Sequence, residues 1–102
     1  MDEKWKKLTS KTKLVKLTED ITVELRALSF QELGELAPLQ EKNDKVGVMN
    51  LLLFTSLRKA VPVVDMNDDE LKEFIKTLDI EVAGLILNTI QELSGFTEKP
   101  KN

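Results

Sequence analysis

The chain has 102 residues, a net charge of −3 and neither cysteine nor histidine, a length that suits one domain with its own hydrophobic core. The missing residue types exclude disulfides, thiolate and imidazole metal sites and the commonest general base. Residues 1–16 carry +4 and the remaining residues −7, so the acidic bulk of the chain opposes the approach of a nucleic acid. No apolar run is long enough to span a membrane, and we expect a soluble, cytoplasmic protein.

The chain opens with a lysine-rich arm, residues 1–12, in which Trp5 is the largest apolar side chain. One interpretation is a solvated terminus without fixed structure. The other is that Trp5 anchors the arm on the core or on a partner, because aromatic residues are favoured contact residues. A single domain is predicted over residues 13–96, and a disordered tail over residues 97–102.

A β-hairpin is predicted at the start of the domain. Residues 13–17 form its first strand, residues 18–20 its turn, and a second strand begins at Ile21. Apolar residues alternate along that strand with the period of a half-buried strand. They are Ile21, Val23, Leu25 and Ala27.

The second strand leads directly into a helix. Ser29 and Glu32 have the spacing of a capping box, and Pro38 predicts an end or a kink. The predicted apolar face consists of Phe30, Leu33, Leu36 and Ala37. A second helix over residues 45–60 is apolar nearly all round at residues 51–54, which indicates a central helix covered from more than one side.

Two more helices follow an extended linker at residues 61–64. Asn67 with Glu70 predicts the cap of the third helix, Asp79 the cap of the fourth, and Gly95 its end. The predicted stripes are Leu71, Phe74, Ile75 and Leu78, and then Ala83, Ile86, Leu87, Ile90 and Leu93. The predicted fold is therefore α+β: a short N-terminal hairpin followed by about four α-helices in a compact helical domain.

The sequence indicates no catalytic or metal chemistry. The acidic run at residues 65–70 begins like an EF-hand loop but has Glu70 where glycine is needed and Lys76 where glutamate is needed. The serines have no histidine partner, and the four glycines are too isolated to form a phosphate-binding loop. We therefore expect neither an enzyme nor a cofactor, and no catalytic or metal site.

Protein binding is the remaining expectation. A two-stranded hairpin is marginal alone and leaves both outer edges unpaired. Val82 and Leu85 lie beside the main stripe of the last helix and widen its apolar face. These features favour a homo-oligomer or a hydrophobic client; the alternative is a wide core-facing stripe in a monomer.

One family resemblance rests on local motifs. Residues 21–33 read hydrophobic-x-Val-x-Leu-Arg-x-Leu-Ser-Phe-x-Glu-Leu. A leucine-rich helix, an Asp-Asp-Glu-Leu helix start and a final Leu-Ser-Gly-Phe follow. In these features residues 13–96 resemble the small tail assembly chaperones of tailed bacteriophages and related proviruses.

The resemblance implies a non-enzymatic chaperone that coats the hydrophobic helices of a tail tape measure protein and often self-associates. A second hypothesis is a small accessory or regulatory protein whose basic arm binds nucleic acid or an acidic partner. Nucleic acid is the less favoured of those two partners, because no arginine accompanies the lysines of the arm. The predicted partner-binding residues are Trp5, Val15, Leu17, Val23, Leu25, Val82 and Leu85.

Overall fold

The fold is α+β, as predicted, with an antiparallel hairpin followed by packed helices. The computed structural model describes residues 3–6, 11–62 and 64–95. The elements in chain order are α1 (Glu3–Lys6), β1 (Thr12–Lys16), β2 (Thr22–Arg26), α2 (Phe30–Glu41), α3 (Lys45–Arg58), α4 (Asp68–Lys76) and α5 (Ile80–Leu93). The predicted tail at residues 97–102 lies outside the described residues, as does part of the predicted arm.

The inner face of the hairpin covers the helices. Val15 pairs with Val23 across the two strands, and α5 packs against both strands. Both valines and Leu25 are buried, which confirms the predicted alternation over most of β2. Ile21 is the exception, at 50 % exposure, because it lies before the strand in the turn, where its amide donates to the carbonyl oxygen of Thr18.

The outer edge of β2 is partly closed by the linker after α3. The amide of Glu24 donates to the carbonyl oxygen of Val61 at 2.7 Å, and the amide of Val61 donates back at 3.1 Å. Pro62 follows in a cis peptide bond. The sheet therefore has an isolated bridge on one side of the hairpin, and the prediction that both edges are unpaired is wrong at this position.

The three predicted helix caps are confirmed as hydrogen bonds. Ser29 Oγ accepts from the amide of Glu32 at 3.3 Å, and Glu32 Oε1 accepts from the amide of Ser29 at 2.8 Å. Asn67 and Glu70 form the same reciprocal pair before α4. Asp79 Oδ2 accepts from two amides in the first turn of α5. Each cap fixes where a helix begins.

Helix α2 departs from its prediction in two ways. Phe30, predicted on the buried face, is 93 % exposed, because side chains lean toward the helix N-terminus and that of the first residue projects past the helix end. Ala37 is also exposed. The helix continues through Pro38 to Glu41. Pro38 has no amide hydrogen to donate to the carbonyl oxygen of Gly34, but Gly34 is exposed, so water can hydrogen-bond to that oxygen instead.

Helix α3 is central, as its composition predicts. It packs against α2, α4, α5 and β2, and it ends at Arg58, two residues earlier than predicted. Ser56 is fully buried, and its hydroxyl donates to the carbonyl oxygens of Leu52 and Leu53. The buried hydroxyl is thereby satisfied inside the helix itself.

Replacement of Gly95 by alanine is expected to lower the free energy of unfolding by about 1 kcal/mol. Gly95 ends α5 with a φ of 77°, and its amide donates to the carbonyl oxygen of Glu92, as in a Schellman motif. Gly34→Ala is the matched control, since no atom lies within 4 Å of a Cβ added there and alanine favours the helix. Urea unfolding should show opposite signs for the two variants; a stabilised Gly95→Ala would contradict this account.

Candidate functional site

A groove of about 630 Å³ separates α3 from α4. Its floor is apolar and is formed by Leu51, Phe54 and the buried Ile75. The remaining lining residues are polar or charged and form the rim: Asn50, Asp69, Lys72, Glu73 and Lys76. An apolar floor with a polar rim is typical of surfaces that bind other molecules.

The Phe54 ring lies near two cations. The guanidinium carbon of Arg58 and the ammonium nitrogen of Lys72 are each 5.7 Å from its centroid, which is within cation–π range. One cation comes from α3 itself and the other from α4. The ring is therefore held in place from both helices while remaining partly exposed in the groove.

Arg58 also links the two helices. Its Nε lies 3.3 Å from Asp68 Oδ1, at the first position of α4, where a carboxylate also suits the helix dipole. The approach does not satisfy hydrogen-bond geometry, since neither Nε nor Nη2 has a hydrogen-bond partner although both atoms are buried. The contact is thus an ion pair between the end of α3 and the start of α4.

A smaller polar pocket of about 280 Å³ lies beyond Phe54, between α2 and the end of α3. Lys59 Nζ donates to Glu32 Oε1 at 2.7 Å and to the carbonyl oxygen of Ala27 at 3.2 Å. Partial burial alone would raise the pKa of Glu32, but hydrogen bonds from Lys59 and the Ser29 amide and the charge of Lys59 outweigh burial. They hold the pKa of Glu32 below its ordinary value of 4.5.

The polar pocket offers little to a ligand. Its two cations already interact with Glu32 and Asp68, and Glu32 and Glu35 in its lining would repel an anion. Within residues 3–6, 11–62 and 64–95, no group of three or more acidic side chains is arranged to hold a metal ion. The apolar groove between α3 and α4 is therefore the stronger candidate site.

The residues predicted to bind a partner lie in three different environments. Val15, Val23 and Leu25 are 6 %, 5 % and 0 % exposed, because α5 packs against both strands; their contact with a client stays a prediction. Leu17 and Val82 are partly buried against the core. Trp5 at 62 % and Leu85 at 39 % are exposed. The structure does not bring these residues together in one surface.

Sequence reasoning missed the groove. The apolar run at residues 51–54 correctly indicated a central helix, but Leu51 and Phe54, although packed against the core, also line the gap between α3 and α4. Two helix-initial residues, Phe30 at 93 % and Ile80 at 83 % exposure, were also not expected on the surface. Ile80 follows its capping residue directly, as Phe30 does, which is a signal that the sequence does contain.

Comparison with protein-family models, with curated proteins and with solved structures found no match. Among the described residues, no helix combines the length and the apolar character needed to cross a bilayer. The functional argument therefore depends on the surface of the chain itself and on the resemblance in its local motifs.

Proposed function

We propose that the protein is a non-enzymatic assembly chaperone or scaffold that binds apolar helical segments of a client protein in the groove between α3 and α4. The observation that carries the proposal is the apolar floor formed by Leu51, Phe54 and Ile75, open to solvent between two helices. The motif resemblance to tail assembly chaperones supports the class of client, a protein with long hydrophobic helices such as a tail tape measure protein.

The dimensions and chemistry of the groove suit a helix. An amphipathic helix inserts side chains spaced three or four residues apart into a groove between two helices. The volume of about 630 Å³ is within the range of about 300–1,000 Å³ that binding pockets commonly have. The rim contributes both signs of charge, with Asp69 and Glu73 beside Lys72 and Lys76, so a client helix with mixed flanking charges fits better than a uniformly charged one.

Self-association belongs to the same proposal. Several large apolar side chains are exposed on the monomer, among them Phe30, Ile80 and Val46. An oligomer would remove such side chains from water, and a chaperone that holds apolar segments can shield its own apolar side chains in this way until a client arrives.

Phe54→Ala is expected to weaken binding of an amphipathic helical peptide by about tenfold or more, because an aromatic anchor in a groove contributes a large share of binding energy. The probe is a labelled Leu- and Ala-rich peptide of about 20 residues, titrated by fluorescence anisotropy. Phe74→Ala is the matched control: Phe74 lies on α4, on the other side of the groove from Phe54, and is exposed, but it does not line the groove.

Circular dichroism of both variants separates a local effect from loss of fold. If Phe54→Ala is too unstable to assay, Leu51→Asn places a polar group on the same floor. The proposed site would be contradicted if the groove variants bound the peptide as tightly as the wild-type protein. It would also be contradicted if Phe54→Ala and Phe74→Ala lost the same amount of peptide affinity. Light scattering on the same samples determines whether the oligomer forms.

A further inference from the structure

On the outer edge of β1, the backbone amide and carbonyl groups of alternate residues point away from the rest of the sheet. Along an antiparallel pair, residues that exchange hydrogen bonds alternate with residues that do not. Glu24 uses both of its backbone groups to bond Val61 on the far side of β2, and across the hairpin it pairs with Leu14. The backbone groups of Leu14 therefore face outward, and so do those of Thr12 and Lys16, two residues to either side.

These outward groups are unpaired in the part of the chain that the structure describes. No hydrogen bond reaches the amides or the carbonyl oxygens of Thr12, Leu14 and Lys16, and all three residues are exposed. The Leu14 side chain is 69 % exposed. A row of free donors and acceptors beside an exposed apolar side chain is a template for one kind of partner, an added strand.

The charge around this edge indicates which strand fits. Lys11 and Lys16 are exposed, and neither takes part in an ion pair among the described residues. They stand about 16 Å apart at the rise of an extended strand. Lysines on an edge oppose pairing with an identical strand, because a second β1 would bring its own lysines to the same edge. An acidic strand has the complementary charge.

We propose that the β1 edge binds an extended acidic segment of a partner protein by strand addition. The central residue of the added strand packs beside Leu14, and Asp or Glu side chains near its two ends approach Lys11 and Lys16. The surface is distinct from the groove between α3 and α4, since none of its residues lines that groove. The two sites can therefore be tested independently.

The probe is a blocked peptide of about nine residues, long enough to extend beyond the five-residue strand, with alternating Val and Thr and a Glu near each end. Binding is expected to slow amide exchange at Thr12, Leu14 and Lys16 by about tenfold or more, since each amide gains a hydrogen bond. The same peptide with Lys in place of Glu is expected to bind about tenfold more weakly. Unchanged exchange at the three amides would overturn the proposal.

Leu14→Pro is the decisive variant. The Leu14 amide donates no hydrogen bond to any of the described residues, and proline is tolerated on edge strands at such positions. The hairpin is therefore expected to persist while peptide binding falls about tenfold or more. Leu14→Thr keeps the amide and is expected to retain most of the affinity. Undiminished binding to Leu14→Pro would refute strand addition, and a second copy of the chain occupying the edge in place of the peptide would refute the acidic partner.

A modified peptide keeps the test valid if Leu14→Pro does not fold. N-methylation of peptide amides that face β1 is expected to abolish binding to the wild-type protein. Methylation of the alternate amides, which face solvent, is expected to leave the affinity within about twofold. Equal sensitivity to both patterns would show that the peptide binds by some other mode.

Discussion

Leu25→Ala is expected to lower the free energy of unfolding by about 2–5 kcal/mol, the usual cost of replacing a buried leucine by alanine. Leu25 is 0 % exposed and lies at the centre of the core cluster, where the hairpin packs on α3 and α5. The loss combines the transfer free energy of the missing methyl groups with the cavity left behind. Urea unfolding followed by circular dichroism measures it.

Leu14→Ala is the control for the same residue type in the same hairpin. Leu14 is 69 % exposed and points away from the core, so its truncation should change the unfolding free energy by no more than about 0.5 kcal/mol. Similar losses of unfolding free energy in Leu25→Ala and Leu14→Ala would mean that the hairpin does not face the core with Leu25. A stable Leu25→Ala would return Leu25 to the list of candidate client contacts.

This pair of leucines shows what the alternation of apolar residues in the sequence can predict and what it cannot. The period of two predicted β2 and placed Val23, Leu25 and Ala27 on one face. It carried no information on whether that face is open, because the cover comes from α5, more than fifty residues further along the chain. The sequence therefore contains no sign that Val15 and Val23 are buried in the folded chain.

Local hydrogen bonding was predicted best. The capping boxes at Ser29 and Asn67 involve side chains three residues apart, so the sequence contains both partners. Phe30 was misplaced because periodicity alone assigns it to the face of Leu33 and Leu36 and ignores its position at the helix end. Pro38 does not end α2, because water can reach the carbonyl four residues earlier.

The candidate site was beyond sequence reasoning. The groove depends on the gap between α3 and α4, and Phe54 is flanked by Lys72 from another helix. A helix pattern indicates which side chains share a face, but the distance between two helices follows from the packing of the whole core. The composition of residues 51–54 indicated a buried helix, and the structure leaves one part of it open.

The contact between Glu32 and Lys59 was also not predicted, and its removal is expected to have the second-largest effect on stability. The sequence predicted Glu32 only as part of the capping box; its side chain is 18 % exposed and that of Lys59 is 25 % exposed. Lys59 joins α2, the end of α3 and the Ala27 carbonyl. Lys59→Met is expected to lower the unfolding free energy by about 1–2 kcal/mol, the range for hydrogen bonds to charged groups reduced for partial solvent exposure.

The same contact predicts a pH dependence with a definite sign. Because the folded-state pKa of Glu32 lies below the ordinary value of 4.5, the folded state binds fewer protons than the unfolded state as pH falls through that region. The stabilisation from Glu32 is therefore present above about pH 4.5 and is lost as the pH drops through the lower folded-state pKa. Unfolding free energy measured from about pH 6 to pH 3 should fall more steeply in the wild-type protein than in Glu32→Gln.

Glu35→Gln is the matched control, since Glu35 is exposed and has no ion-pair partner among the described residues. It is expected to follow the wild-type slope. A double-mutant cycle of Glu32→Gln and Lys59→Met should give a coupling free energy, because the two side chains are in direct contact. The opposite result would be additive changes in unfolding free energy in that cycle, together with the same pH dependence for Glu32→Gln and the wild-type protein. It would mean that the contact does not stabilise the fold and that Ser29 and the core alone hold α2 in position.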